Sequence, residues 1–206
     1  PLHSSAASDV YKRQVIEPYL STVVLSGSLL DKSSYADKNH LIEQICSGDI
    51  HISFAYAEVT KNYDYLSVNT SLDSNNVLNG TKTLVLNGAN ADKIIATCAD
   101  KSEIKIVILD ANTKGVSINS FSTVDGQSCA EISFENVELN DSNIIASGDE
   151  ANLLINKTIN LATLCICAEA VGCMESCYTK TLEYTKGREQ FGPVSYTHLR
   201  AHETSQ

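Results

Sequence analysis

The stretch LNGTKTLVLNGANAD, residues 78–92, decides the fold that the sequence predicts. Apolar side chains at alternating positions between two Asn-Gly pairs are typical of β-strands bounded by turns. Asn79-Gly80 favours a type I′ turn, so we predict a hairpin with strands at residues 77–78 and 82–86. Asn87-Gly88 is expected to end the second strand.

The β pattern continues on both sides of this stretch. Residues 52–56, 93–98 and 104–109 are apolar or alternating runs of strand length. A further alternation at residues 130–134 is interrupted at Asn136, which indicates a β-bulge or a bend. These strands together predict an antiparallel β-barrel or sandwich.

Helical periodicity flanks the β-rich region. Residues 15–46 carry apolar side chains at spacings of three and four, and Ser47-Gly48 is expected to stop the last helix of this part. After Gly148, one apolar stripe follows a helical period as far as Leu182. A helix over residues 149–187 would be about 58 Å long. It requires partner helices that the chain does not supply.

We therefore predict an α+β protein with an antiparallel β-domain between helical segments. Both ends of the chain resemble translated adaptor sequence, which indicates non-native tails, and a pair of natural disordered tails is the alternative. The predicted segments are a tail at 1–14, the end of an amino-terminal helical domain at 15–47, the β-domain at 48–147, the first helix of a carboxyl-terminal helical domain at 148–193, and a tail at 194–206.

Charge and composition narrow the classes of function. The net charge of −10 argues against a nucleic-acid backbone as the main partner. No run of consecutive apolar residues approaches the length of a membrane span, and the amino terminus lacks the pattern of a secretory signal. The seven cysteines are odd in number and lack the spacing of a zinc site. We therefore expect free thiols, no metal and a cytoplasmic location.

Two motifs resemble the flavin-dependent acyl-CoA dehydrogenases. The first is residues 78–92, of the form NGxKxxVxNGxxAD, and the second is YTKGREQFG at 184–192, a helix end of the form Arg-x-x-Phe-Gly. The resemblance covers residues 15–193. CAEAVG at 167–172 and EPYL at 17–20 favour the pimeloyl-CoA dehydrogenase-like branch. The order of the motifs implies the centre of such an enzyme, without its carboxyl-terminal part.

This resemblance implies an FAD site on the β-domain. Family members line the flavin ring with the segments that match residues 54–58 and 84–86, which makes the cofactor-lining candidates Phe54, Tyr56, Ala57, Leu84 and Leu86. The alternative is that Phe54, Leu84 and Leu86 are ordinary core residues. Leu86 departs from the family, because many members have a threonine there that hydrogen-bonds to the flavin. A second departure is the valine that follows Glu58, where many members have proline.

The helix that carries the second motif supplies three further candidates. In the family, the residues matching Arg188 and Phe191 reach the FAD pyrophosphate of a neighbouring subunit, and a guanidinium suits phosphate oxygens. The alternative for Arg188 is a cation that stabilises a helix carboxyl end. Asn160 matches a position that contacts the substrate, although a solvent-facing polar residue is the alternative. We interpret Glu169 as a surface carboxylate.

The implied reaction is α,β-dehydrogenation of an acyl-CoA thioester. A carboxylate removes a proton from the α-carbon while hydride leaves the β-carbon for the flavin. The base lies beyond Gly192 in most members and matches Ala162 in a minority, and alanine cannot abstract a proton. The sequence therefore offers no catalytic residue, and we expect the fragment itself to be inactive.

The resemblance also implies partners for the parent enzyme. They are a fatty or dicarboxylic acyl-CoA, an electron-transfer flavoprotein as acceptor, and further subunits in a homo- or hetero-oligomer. The alternative reading, from another class of function, is a non-catalytic β-barrel binding module with a helical oligomerisation arm.

Overall fold

The structure, a computed structural model, describes residues 18–59, 64–101 and 103–188. Two compact units divide the chain, the first ending at Ala162 and the second beginning at Thr163. Both predicted tails lie outside the described residues, and so does Phe191. The domain boundaries of the sequence analysis stay predictions.

Short helical segments precede the sheet. A π-helix, Tyr19–Gly27, continues into α1 (Ser28–Lys32), and α2 (Lys38–Ser47) follows. Gly48 ends α2 in a left-handed conformation with φ 79°, which glycine adopts without steric cost. The predicted stop at Ser47-Gly48 is confirmed, whereas the π-helical hydrogen bonding was not expected from the sequence.

Within the part of the chain that the structure describes, eight strands form one mixed sheet. Their order is β6-β7-β3-β2-β4-β5-β8, and β1 pairs with β4. The strands are β1 (Ile52–Ala55), β2 (Ser71–Leu72), β3 (Val77–Leu86), β4 (Lys93–Asp100), β5 (Glu103–Asp110), β6 (Val116–Ser122), β7 (Ser128–Glu138) and β8 (Ile144–Ser147). The α+β class is confirmed. The sheet is not purely antiparallel, however, because β1 and β2 both pair with β4 in parallel.

The predicted hairpin at Asn79-Gly80 is wrong. Strand β3 passes through both residues and pairs with β7 on either side of them. Gly80 has φ 145°, and a Cβ placed on it would lie 2.6 Å from the Cα of Thr70. The side-chain oxygen of Asn79 accepts a hydrogen bond from the Asn136 amide at 2.8 Å. The Asn-Gly pair therefore permits close approach of backbones rather than a reversal of the chain.

Two bulges interrupt the pairing of β3 with β7. The first register shift falls opposite Leu78–Gly80, where Asn136 has φ 52°, and it confirms the predicted bulge. The second falls between Lys82 and Val85, and it places Leu84 at φ 51°. An extra residue on one strand redirects the side chains beside it. This second bulge was not predicted.

A hydrophobic core lies within the sheet. Its fully buried members come from several strands and include Leu78, Ile94, Cys98, Val107 and Ile132. All seven cysteines are free, as predicted, and two of them, Cys98 and Cys129, are buried.

Helix α3 (Gly148–Gly187) is continuous over 40 residues. Asp149 and Glu150 lie in its first turn, where negative charge stabilises a helix. Its buried residues belong to the first unit and recur at helical spacing; they are Ala151, Leu154, Ile155, Thr158 and Ala162. From residue 163 onwards large apolar side chains are exposed, namely Leu164, Ile166, Val171, Met174, Tyr178 and Tyr184. The predicted long helix with an uncovered apolar stripe is confirmed.

Among the described residues, α3 is the one helix long and apolar enough to cross a membrane. An 18-residue window in it has a mean hydropathy of 1.3, and 22% of that window is buried. Core helices of soluble proteins pass the same test of length and composition. The expectation of no membrane span therefore stays a prediction.

Candidate functional site

A fully buried lysine stands at the centre of the candidate site. The Nζ of Lys82, which is 0% exposed, donates to Glu58 Oε1 at 2.7 Å and to Thr97 Oγ1 at 2.9 Å. Glu58 also accepts hydrogen bonds from the amides of Asn69 and Thr70, at 2.8 and 3.0 Å, and from the Thr70 hydroxyl at 2.8 Å. Both charged groups are thus hydrogen-bonded inside the protein, as buried charges require.

The electrostatics of the pair favour the charged form of Glu58. Burial raises the pKa of the Glu58 carboxyl, but Lys82 and the Thr70 and Asn69 amides outweigh burial, so this pKa lies below its ordinary value. Burial also lowers the pKa of Lys82, and Glu58 opposes that effect. Nearby, burial raises the pKa of the Cys98 thiol to about 12, so this thiol stays protonated.

This network joins four segments of the sheet. Glu58 follows β1, Thr70 precedes β2, and Lys82 and Thr97 lie on β3 and β4. A backbone bond strengthens the connection, because the Thr83 amide donates to the Ala57 carbonyl at 3.0 Å. The network therefore fixes the end of β1 against the bulge in β3.

Three predicted cofactor-lining residues meet at this point. Tyr56 and Ala57 are half-buried directly after β1, and the bond from Thr83 places Ala57 beside Leu84. Leu84 is 58% exposed, because the bulge turns it away from the core. Burial raises the pKa of the Tyr56 hydroxyl, which stays protonated. Leu84 thus offers exposed apolar surface on β3, close to the backbone at the end of β1.

Phe54 and Leu86 have different surroundings. Phe54 is 2% exposed, and its ring centroid lies 5.2 Å from that of Tyr56, with the rings tilted by 38°. It packs behind Tyr56 as a core residue. Leu86 is half-buried and lines a cleft of about 150 Å³ together with Pro18 and Ser128.

The candidates on α3 are exposed. Asn160 lies on the solvent side of the helix within the first unit. Arg188 belongs to the second unit, and its guanidinium lies 5.3 Å from the centroid of the Tyr184 ring, within cation–π distance. Glu169 is exposed, in agreement with its interpretation as a surface carboxylate, and Ala162 is buried.

Metal chemistry has no support in the part of the chain that the structure describes. No group of three or more His, Cys, Asp or Glu residues lies together there as metal ligands would.

Sequence analysis missed the pairing of Glu58 with Lys82. A signal was present in the sequence, because Lys82 alternates with Leu84 and Leu86 in the predicted strand. A lysine at an inward-facing position of an apolar strand requires a buried partner. The position of that partner depends on the tertiary fold and has no local pattern.

Comparisons with known proteins agree with this architecture. Residues 53–137 match the family model "Acyl-CoA dehydrogenase, middle domain". An acyl-CoA dehydrogenase of Bacillus subtilis (strain 168) is 27% identical over 182 residues, which cover 83% of this chain and 48% of the relative. The mitochondrial isovaleryl-CoA dehydrogenase of Arabidopsis thaliana is 24% identical over 80% of this chain and 43% of its own length.

Solved structures share the fold. A glutaryl-CoA dehydrogenase from Mycobacterium smegmatis in complex with FADH2 superposes with a TM-score of 0.79 at 23% identity, over 89% of this chain and 49% of that one. Butyryl-CoA dehydrogenase from Megasphaera elsdenii superposes with a TM-score of 0.78 at 23% identity, over 85% of this chain and 49% of that one. An electron transferring flavoprotein of Acidaminococcus fermentans gives 0.79 at 23% identity, over 90% and 52%. The chain spans about half the length of the relatives that it matches.

Proposed function

We propose that this chain, whose residues 53–137 match the acyl-CoA dehydrogenase middle domain, is part of an FAD-dependent enzyme of α,β-dehydrogenation. The substrate is an acyl-CoA thioester. The family match to the β-rich unit is the observation that carries this proposal. The names of the relatives support it, and so does the FADH2 in the mycobacterial structure.

The flavin ring is proposed to lie against Tyr56, Ala57, Leu84 and Leu86. An exposed leucine at a fixed bulge supplies a flat apolar surface, and the end of β1 supplies backbone groups. Phe54 packs behind the ring of Tyr56, so it supports Tyr56 and does not contact the flavin itself. Leu86 has no hydroxyl, so any contact that it makes with the flavin is apolar.

When bound, FAD would supply the acceptor for the hydride. The residues of this chain orient the ring and exclude water from it. Glu58 is the carboxylate nearest in sequence to the proposed ring site, but it does not act as the base. Its oxygens already accept from Lys82, Thr70 and Asn69, and it is buried. No catalytic base is assigned among the described residues.

The remaining contacts concern neighbouring molecules. We propose that Arg188 and Phe191 contact the FAD pyrophosphate of another subunit and that Asn160 contacts the substrate. Exposure of Arg188 at a helix end supports the first role. We also propose that the enzyme is oligomeric and cytoplasmic, and that an electron-transfer flavoprotein accepts its electrons. The pimeloyl-CoA dehydrogenase-like branch stays a prediction.

The test is the visible spectrum of the longer gene product that contains this chain. It should be purified yellow, with flavin absorbance, or become so on reconstitution with FAD. A colourless protein that cannot be reconstituted would favour the non-catalytic binding module instead.

A matched pair of variants locates the flavin. Leu84→Asp places a charge on the proposed ring surface, and aspartate tolerates the left-handed backbone of Leu84. It should therefore lose flavin while its circular dichroism is unchanged. Val124→Asp, at a fully exposed turn, should keep it. Equal flavin content in the two variants would contradict the proposed location.

A further inference from the structure

A cleft of about 150 Å³ lies between the start of the π-helix, the end of β3 and the start of β7. Leu20 and Leu86 form apolar parts of its wall. The polar parts are hydroxyl and amide side chains, namely Ser21, Asn87, Asn90, Gln127 and Ser128. None of the nine described residues that line the cleft is charged. We refer to it as the Asn87 cleft.

The side-chain amide of Asn87 is oriented but incompletely paired. Its oxygen accepts a hydrogen bond from Asn90 Nδ2 at 3.0 Å, and its backbone amide donates to the Ser128 carbonyl at 2.7 Å. Its Nδ2 is buried and has no hydrogen-bond partner among the described residues. Since Asn90 occupies the oxygen, the NH₂ group is the free end of the amide.

A buried donor without an acceptor costs about 1–3 kcal/mol, so an acceptor is expected from outside the described residues, and we consider a bound ligand. The volume of the cleft equals that of a protein cavity that holds benzene, which corresponds to about six heavy atoms. A carboxylate would enter without a cation to pair with it among the described residues of the lining, because none of those residues is charged. These conditions select a small, neutral acceptor.

We propose that the Asn87 cleft binds a small uncharged ligand group with a hydrogen-bond acceptor, such as a ketone or amide carbonyl, which accepts from Asn87 Nδ2. The binding of such a group by the cleft does not depend on the proposed function. Only the identity of the molecule that carries the group rests on it. With a flavin against Leu86, the group belongs to the acyl chain of the thioester substrate. The enzyme then prefers a short acyl chain with a neutral oxygen over a dicarboxylic one.

Ligand titrations followed by NMR on the 206-residue chain test the cleft without flavin. The probes are cyclopentanone and butyrate, which have the same number of heavy atoms but differ in charge. Cyclopentanone should shift the side-chain amide signals of Asn87 and Asn90 in a saturable manner, and butyrate should bind at least about tenfold more weakly. Unmoved signals would show that water alone fills the cleft, and this result would overturn the proposal. Equal binding of the two probes would overturn it as well.

Asn87→Asp replaces the donor with an acceptor and tolerates the same left-handed backbone, φ 55°. It should weaken cyclopentanone binding about tenfold, the loss expected for one hydrogen bond. Asn136→Asp, also left-handed but exposed in the β7 bulge, is the matched control and should bind normally. Should Asn87→Asp fail to fold, Leu86→Phe narrows the cleft and should weaken binding likewise. Undiminished binding in the folded variants would refute the subsite.

A second titration identifies the source of the group. In the flavin-containing longer protein, 4-oxopentanoyl-CoA should bind more tightly than pentanoyl-CoA, and Asn87→Asp should remove the difference. If cyclopentanone binds while the longer protein takes up no FAD, the proposed function fails and the cleft stands. If FAD binds but cyclopentanone does not, the proposed function stands and the proposal for the cleft fails.

Discussion

Glu58 and Lys82 are 24 positions apart, yet their charged atoms lie 2.7 Å from each other within the sheet. Four segments converge on this pair, so its energetic role is to hold the end of β1 against β3, where the flavin is proposed to bind. Removing one partner of a buried pair leaves an uncompensated charge or unpaired acceptors.

The Lys82→Met variant should therefore lose about 3–5 kcal/mol of unfolding free energy. Lys93→Met is the matched control, because it breaks the partly exposed pair with Asp110 and should cost less than about 1 kcal/mol. Urea denaturation of both variants measures the difference. Similar losses in the two would show that the Lys82 pair does not support the fold.

The stability of the chain should also depend on Glu58 in acid. The pKa of Glu58 is lowered in the folded state, so the unfolded state binds more protons as the pH falls. Its contribution is complete above the ordinary carboxyl pKa and disappears as the pH falls through the folded-state value. Unfolding free energies measured between neutral and acidic pH should fall less steeply in Glu58→Gln than in the wild type. Parallel curves would contradict a lowered pKa.

At the scale of the strand, Gly80 lets an Asn-Gly pair lie within β3, whereas such a pair usually forms a turn. A side chain at this position would clash with the backbone of Thr70. A residue other than glycine would also be strained at the backbone angle φ 145°. Gly80→Ala should cost about 2 kcal/mol or more in denaturation experiments.

The matched replacement is Gly172→Ala in α3, where no atom lies within 4 Å of the added carbon. It should be neutral or stabilise the helix by up to about 1 kcal/mol. If Gly80→Ala were equally harmless, the close approach of Thr70 to β3 would be wrong.

The strands and helices with strong periodicity were predictable from local sequence. Residues 93–98 and 104–109 became the core of β4 and β5, because Ile and Val fit a buried pleated surface. Asn79-Gly80 was not predictable, since its turn preference loses to the pairing of β3 with β7. The bulge at Leu84 and the Asn87 cleft likewise depend on contacts between residues far apart in sequence.

On the scale of the molecule, the two halves of α3 differ in how far their apolar side chains are buried. Residues up to Ala162 include the buried face of the helix, whereas large apolar residues beyond it are exposed. Backbone amides in the second half should open more readily, because fewer tertiary contacts restrain them.

Hydrogen–deuterium exchange by mass spectrometry should therefore be slower for residues 155–162 than for 171–182. Gly80→Ala should speed exchange in β3 without altering 171–182, which belong to the other unit. Uniform exchange along α3 would mean that burial of Leu154 and Ile155 does not stabilise its first half.

The division of the chain within α3 has a consequence for biosynthesis. Translation delivers the amino-terminal unit first, and that unit is complete at Ala162. At roughly 5–20 residues per second, residues 163–187 take about 1–5 s more to be made. The β-rich unit thus has time to fold at the ribosome before the apolar half of α3 emerges to compete for its surface.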